Sequence, residues 1–302
     1  MPKDIKTIYV DKEDGSREEF ASDKLQQSLI KSGANPTLAD KIVRSITEEI
    51  AKEGAEEHSA SEIYRRAFHH LKELSLSAAA RYSLRRSLLE FGPTGFPFEK
   101  YVAEILKAKG FSTLTDQVVF GSCVPHEVDV VAWNPQKLVM VEVKYHNEPA
   151  GKTDLKVALY VKARYDDLMQ NMYDYGDEGT SRKLDEGWLL TNTKFSDTAV
   201  TYGKCAGVKM VSWNYPPLGN LQDMIEETKL HPVTCLSTLS AVEKKLLLQN
   251  DIVLCKSVYE NTHLLKIHGF SDSKIFKIVE EIGNILRNDE VSTKELHNSH
   301  NV

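Results

Sequence analysis

The spacing of apolar residues changes partway along the chain. Between residues 22 and 89 they recur every three or four positions: Leu25, Leu29 and Ile30, then Ala39, Ile42, Ile46 and Ile50, then Ile63, Ala67 and Leu71. That period places each set on one face of a helix. Ser22-Asp23 is read as the cap of the first helix and Gly33 as its stop. Pro36-Thr37 starts the second, Ser59 or Ser61 caps the third, and a fourth spans about 77–89. Ahead of them, short strands at 7–10 and about 18–20 flank a turn at Asp14-Gly15 and predict a hairpin. The first segment, 1–92, is therefore a β-capped helical bundle.

The run FGPTGFP, residues 91–97, is a linker and marks a change of pattern. A helix is predicted over 98–109, strands over about 117–132 and 138–145, a helix over 154–174, a strand over 187–191, a helix over 196–205 and a strand over 208–213. Alternation of this kind predicts a mixed sheet flanked by helices. NYPPLGN, residues 214–220, closes it. Short helices follow to about 287, and the polar tail 288–302 is expected to be disordered. The expected fold class is α/β multidomain, with segments 1–92, 93–220 and a small all-α segment 221–302.

Composition narrows the class. At 302 residues, with 41% apolar and 27% charged residues, the chain reads as an ordinary globular protein. It holds no apolar run long enough for a membrane span and opens without a signal-peptide core, so the expected location is the cytoplasm with no membrane partner. Cys123, Cys205, Cys235 and Cys255 are far apart and form no metal or disulfide pattern. A net charge of -6 is mildly unfavourable for meeting a polyanion but leaves room for a local basic patch.

Candidate chemistry concentrates in EVDVVAWNPQKLVMVEVKYHN, residues 127–147. Asp129 and Glu142 would come from adjacent strands, and Lys144 shares a face with Glu142 because strand residues two apart point the same way. Two carboxylates at one sheet end suit a hard divalent cation such as Mg²⁺ or Mn²⁺, which can neutralise a phosphate and acidify a water. Glu99, in FPFEKYVAEIL, adds an acid from the preceding helix. An isolated E-x-K is more often a surface ion pair; the ordered set is not.

The order Gly95-Phe96-Pro97-Phe98-Glu99, Gly110-Phe111, Asp129 and Glu142-Val143-Lys144 resembles the PD-(D/E)xK nuclease superfamily, in particular its Mrr-like and Holliday-junction-resolvase-like branches. The later run 187–213 is similar to the Mrr-type stretch. The resemblance implies a restriction-endonuclease-like sheet, a metal on Asp129 and Glu142, assistance from Lys144, support from Glu99, and DNA as substrate. It also implies dimerisation.

The run VDKEDGSREEFASDKLQQSL, residues 10–29, resembles the ATP-cone. That resemblance implies ATP or dATP as an effector, with Lys12 and Lys24 near the triphosphate, Glu18 on the nucleoside and Val10 covering the base. Glu13 and Ala21 depart from the family's pattern, and Arg81, Arg85 or Arg86 could supply positive charge. The run LLKIHGFSDSKIFKIVEEI, residues 264–282, looks like a helix-hairpin-helix, which implies phosphate contacts at Lys266, Gly269 and Lys274. Residues 225–287 carry eight Lys or Arg against eight Asp or Glu, which weakens that reading.

The leading expectation is a metal-dependent DNA endonuclease governed by adenine nucleotide. The alternative is a non-catalytic nucleotide-responsive DNA-binding or scaffold protein, and a ribonuclease is a third option. No G-x-x-x-x-G-K-[ST] loop occurs, so the nucleotide is expected as effector rather than fuel.

Overall fold

The computed structural model describes residues 8–12, 15–55, 57–92, 94–176 and 181–287. The expected turn residue Asp14, the family departure Glu13, strand residue Thr7 and the tail 288–302 lie outside them. Contacts gather the chain into two compact units: one runs through Leu84 and includes Cys235–Ala241 and the residues from Val258 onward; the other holds Arg85–Thr234 and Val242–Ser257.

In the first unit, β1 (Tyr9–Asp11) pairs antiparallel with β2 (Arg17–Glu19). Helices α1 (Ser22–Lys31) and α2 (Pro36–Glu53) follow, then β3 (Glu57–Ser59), which lies parallel on the other side of β1, then α3 (Ala60–Leu74). The caps are local chemistry. Asn35 accepts the Leu38 N–H at 2.8 Å ahead of Pro36, and Ser59 accepts the Glu62 N–H at 3.1 Å. Gly33 ends α1's turn at φ 88°, a conformation that costs glycine little. The α1 start differs from expectation: Ala21 precedes it and makes no side-chain cap. Val10, Leu25, Leu29, Ile42, Ile46, Ile50, Ala67 and Leu71 form the core, so the predicted apolar faces meet.

Helix α4 (Leu76–Leu89) leads to the second unit. There, α5 (Phe96–Ala108) precedes β4 (Ser112–Phe120), β5 (Pro125–Trp133) and β6 (Leu138–Lys144). The single strand expected near 117–132 is in fact two antiparallel strands, because residues 121–124 turn the chain: Gly121 donates to the Val124 carbonyl at 2.9 Å. After the short β7 (Lys152–Thr153) come α6 (Leu155–Leu168), the pair β8 (Met172–Tyr173) and β9 (Arg182–Lys183), β10 (Glu186–Thr191), β11 (Lys194–Phe195), α7 (Asp197–Ala206) and β12 (Lys209–Val211). The main sheet runs β12-β10-β6-β5-β4, parallel from β12 to β6 and antiparallel beyond. Val131, Met140 and Leu189 of the sheet pack on Ala158, Val161 and Tyr165 of α6.

The C-terminal region is helical: α8 (Leu221–Thr228), α9 (Ala241–Gln249), α10 (Cys255–Glu260), α11 (His263–Ile267) and α12 (Asp272–Arg287). Within the first unit, Glu281 of α12 is buried yet satisfied, accepting from Ser237 N (2.8 Å), Ser237 Oγ (2.7 Å) and Thr238 N (2.9 Å). No helix among the described residues is long and apolar enough to cross a membrane.

Candidate active site

Strand register explains how acids far apart in sequence meet. β4 and β5 pair Thr115 with Val130 and Gln117 with Val128, which sets Asp116 opposite Asp129. β5 and β6 pair Val130 with Val141, which sets Asp129 in line with Glu142 at the next step. The β4–β5 ladder is interrupted at this row, and the β5–β6 ladder ends at it. Asp116 adopts φ 55°, a left-handed conformation that aspartate tolerates better than most side chains. The Asp129 carboxylate accepts the Val143 N–H at 2.6 Å. Carboxylates of three neighbouring strands thus occupy one row.

Glu99 joins the row from the first turn of α5, close enough for Asp116, Asp129 and Glu142 to act on its carboxyl. The approach is close at Gly95: a Cβ there would lie 3.1 Å from Glu99 Oε1, which would have to give by a few tenths of an ångström. Burial and the nearby Asp129, Asp116 and Glu142 push the Glu99 carboxyl up to about 7. Glu142 is likewise pushed up to about 7, chiefly by burial and then by Asp129, against the pull of Arg164 and Lys144. Asp129 is raised by burial, although the Val143 N–H and Arg164 oppose this.

The counter-charges are few. Arg164 of α6 donates through Nη1 to Glu142 Oε2 and, at 2.9 Å, to the Tyr160 hydroxyl, with its guanidinium 5.2 Å from the Tyr160 ring centre. Lys144 is exposed at the end of β6, level with Thr191 of β10. The Glu142 N–H points to the buried Tyr165 hydroxyl at 3.2 Å, which in turn donates to the Trp188 carbonyl. Next along, Tyr145 donates to the Leu89 carbonyl at 2.7 Å and His146 meets Thr153 Oγ1 at 2.9 Å, so neither ring lies idle.

Glu99, Asp129 and Glu142 are therefore brought together, with Lys144 close enough to act on both Asp129 and Glu142. Asp116 and Arg164 were missed by sequence reasoning. Asp116 was legible in principle, since a turn at Gly121-Ser122 aligns it with Asp129. Arg164 had no sequence signal, because a helix must first lay it across the strand.

In the first unit, Glu18 Oε2 accepts from Lys12 Nζ at 2.7 Å and from Lys24 Nζ at 2.8 Å. These two contacts hold the Glu18 carboxyl below its usual range. Val10, opposite Glu18 in the β1–β2 register, is buried in the core. Arg81 donates to the Ser32 carbonyl at 2.9 Å, and Arg85, in the second unit, to the Pro149 carbonyl at 3.5 Å. At the α11–α12 turn, Gly269 N–H and Phe270 N–H close onto the carbonyls of Lys266 (3.0 Å) and Leu265 (3.1 Å), and Lys266 Nζ pairs with Asp272 at 3.0 Å. The turn expected to grip phosphate thus spends two of its N–H groups inside the chain, while Lys274 follows on α12.

A protein of Archaeoglobus fulgidus, described as uncharacterized, is 32% identical over 186 residues, which is 61% of this chain and 99% of the relative. The family model named AF1548-like, C-terminal matches residues 231–286. The chain belongs to the AF1548-like family. The crystal structure titled as the protein of unknown function AF1548 is 31% identical, covers 64% of this AF1548-like chain and 98% of its own, and superposes with a TM-score of 0.51. The ATP cone domain model matches residues 8–90, and that of Uncharacterised protein family UPF0102 matches 98–171. The second match contains Glu99, Asp116, Asp129, Glu142, Lys144 and Arg164; the first contains Val10, Lys12, Glu18 and Lys24. The MspJI restriction endonuclease in complex with a 27-mer oligonucleotide aligns at 14% identity and a TM-score of 0.33, over 58% of this chain and 36% of that one.

Proposed function

We propose that this AF1548-like protein is a divalent-metal-dependent DNA endonuclease controlled by an adenine nucleotide on its ATP-cone segment. The observation that carries the reading is the acid row: Asp116, Asp129 and Glu142 fall level on adjacent strands, and Glu99 joins them. The donor set fits Mg²⁺ or Mn²⁺, because it consists of carboxylate oxygens whose crowding a divalent cation would relieve. Asp129 and Glu142 would hold the ion. When bound, it would neutralise phosphate charge and make a water acidic enough to attack.

The chain's own residues supply the rest. Glu99, its carboxyl near 7 beside Asp116, can hold or release a proton at neutral pH. Lys144 faces the end of the row and would orient the water or steady negative charge on the phosphate. Arg164 neutralises Glu142 and is placed to turn toward a phosphate instead. The three segments 1–92, 93–220 and 221–302 serve as nucleotide sensor, nuclease and helical region, the last contacting DNA through Lys266, Gly269 and Lys274. Lys12, Lys24 and Glu18 take the nucleotide, with Val10 behind them. The active form is a homodimer, since cutting both strands needs two sites.

The test is cleavage of linear, nicked, branched and modified DNA, with RNA as a further arm, in Mg²⁺ or Mn²⁺, with and without ATP or dATP. Cleavage by the native chain that Glu142→Ala abolishes is expected. Intact nucleic acid in every arm would sink the catalytic reading and leave the binding-protein alternative.

A further inference from the structure

We propose a second metal site, for Zn²⁺, in the first unit, formed by Glu53, His58 and Glu62. One ligand atom from each of these residues can be chosen so that all lie within 4.8 Å of one another. Glu53 is the last residue of α2, His58 lies in β3, and Glu62 lies in the first turn of α3. The set is independent of the acid row and of the nuclease reading.

The imidazole is the observation that points to a ligand. His58 is 4% exposed, and of its two ring nitrogens Nε2, buried without a hydrogen-bond partner, lies on the side away from the carboxylates and takes no part in the site. Its Nδ1 faces Glu62 Oε2 at 3.5 Å and Glu53 Oε2 at 4.0 Å. These separations are long for a hydrogen bond to a carboxylate. Another histidine of the same unit supplies the contrast, because His70 Nε2 reaches Glu49 at 2.9 Å. Donor atoms sharing a tetrahedral zinc, each about 2.1 Å from it, stand roughly 3.4 Å apart. The His58–Glu62 gap has that size; the Glu53 oxygen that faces the imidazole, at 4.0 Å, is held by Arg66 at 2.8 Å and would have to come closer to share the ion.

Arg66 supports the arrangement from outside. Its Nη2 donates to Glu53 Oε2 at 2.8 Å and to Glu62 Oε1 at 2.5 Å, and Nη1 reaches Glu49 at 3.4 Å. It leaves Glu62 Oε2 turned to the imidazole, and metal-binding carboxylates are commonly held by such outer donors. One imidazole, two carboxylates and a water make a four-coordinate set that suits zinc. The ion would pin the end of α2 and the start of α3 to β3. Since β3 pairs with β1 through Val10 and His58, it would also fix the strand that leads into Lys12.

The experiment is titration of the chelator-stripped, full-length protein with Zn²⁺, followed by calorimetry and by thermal melting. Native protein and Glu142→Gln are expected to bind at this site alike and to melt higher with zinc. Glu62→Gln and Glu53→Gln, each first shown to be folded by its own metal-free melt, are expected to bind at least about tenfold more weakly and lose the shift. Equal zinc binding by the native chain and both folded variants would overturn the site, whatever the DNA-cleavage result.

Discussion

Glu99 of α5 and Glu142 of the central sheet are pushed up to about 7, whereas Glu18 in the first unit is held below its ordinary range. The residue type is the same, and the neighbours differ. At the sheet, acids from α5, β4, β5 and β6 crowd one another, and Arg164 and Lys144 answer them among the described residues. At Glu18, two lysines converge on a single carboxylate in a largely exposed setting. The sign of the excess charge differs accordingly: the buried row lacks a cation, and the lysine pair has positive charge to spare for an anion. On the proposed reading, the first setting suits a metal ion and the second a phosphate.

The largest test of this contrast is on catalysis. Glu142→Ala should lower single-turnover DNA cleavage by roughly 10³-fold or more, and Lys144→Ala by about 10²-fold. If Glu142→Ala cuts as well as the native chain, the row is structural.

The next test is pH-dependent stability. An acid whose folded value lies above its unfolded value of 4.5 binds more protons in the folded state, so stability falls as pH rises. In chelator, melting temperature should drop between about pH 4.5 and 7 because of Glu99 and Glu142, then level off with respect to them. Saturating Mg²⁺ should flatten the drop, and Glu142→Gln should remove part of it. A chelated protein whose melting temperature climbs steadily over that interval, with or without these substitutions, would contradict the burial argument.

The lysine pair should behave in the opposite sense. Lys12→Ala or Lys24→Ala should weaken ATP binding by roughly tenfold in calorimetry, since a charge-assisted phosphate contact is lost. Unchanged affinity would return both lysines to ordinary surface ion pairs.

The smallest effect is on folding. Lys12→Ala should alter unfolding free energy by less than about 1 kcal/mol, because its partner is exposed and screened. A loss of several times that in denaturant melts would mean that the triad builds the fold rather than the ligand site.

Much of this was readable without coordinates. Helical spacing located α1 to α4, and Asp129 and Glu142 stood out because carboxylates on apolar strands need a reason, with Glu99 adding an acid from the helix before them. Asp116 escaped because one long strand was expected where the chain turns at residues 121–124, and register was unknown until that turn was placed. β3 escaped because three residues, Glu57-His58-Ser59, carry no alternation long enough to read, yet their pairing with β1 brings His58 beside Val10. At the α11–α12 turn the sequence displayed the right residue types, but only the fold showed that Lys266 faces Asp272.

By itself the sequence determined the helical faces, the alternation of strand and helix after residue 98, and the kinds of side chain available for chemistry. These follow from local spacing and residue type. Tertiary structure decided which acids share a row, that Arg164 answers Glu142, that Lys12 and Lys24 meet on Glu18, and that His58 is buried beside two glutamates. Those facts depend on strand register and helix placement, which long-range packing sets and neighbouring residues do not encode.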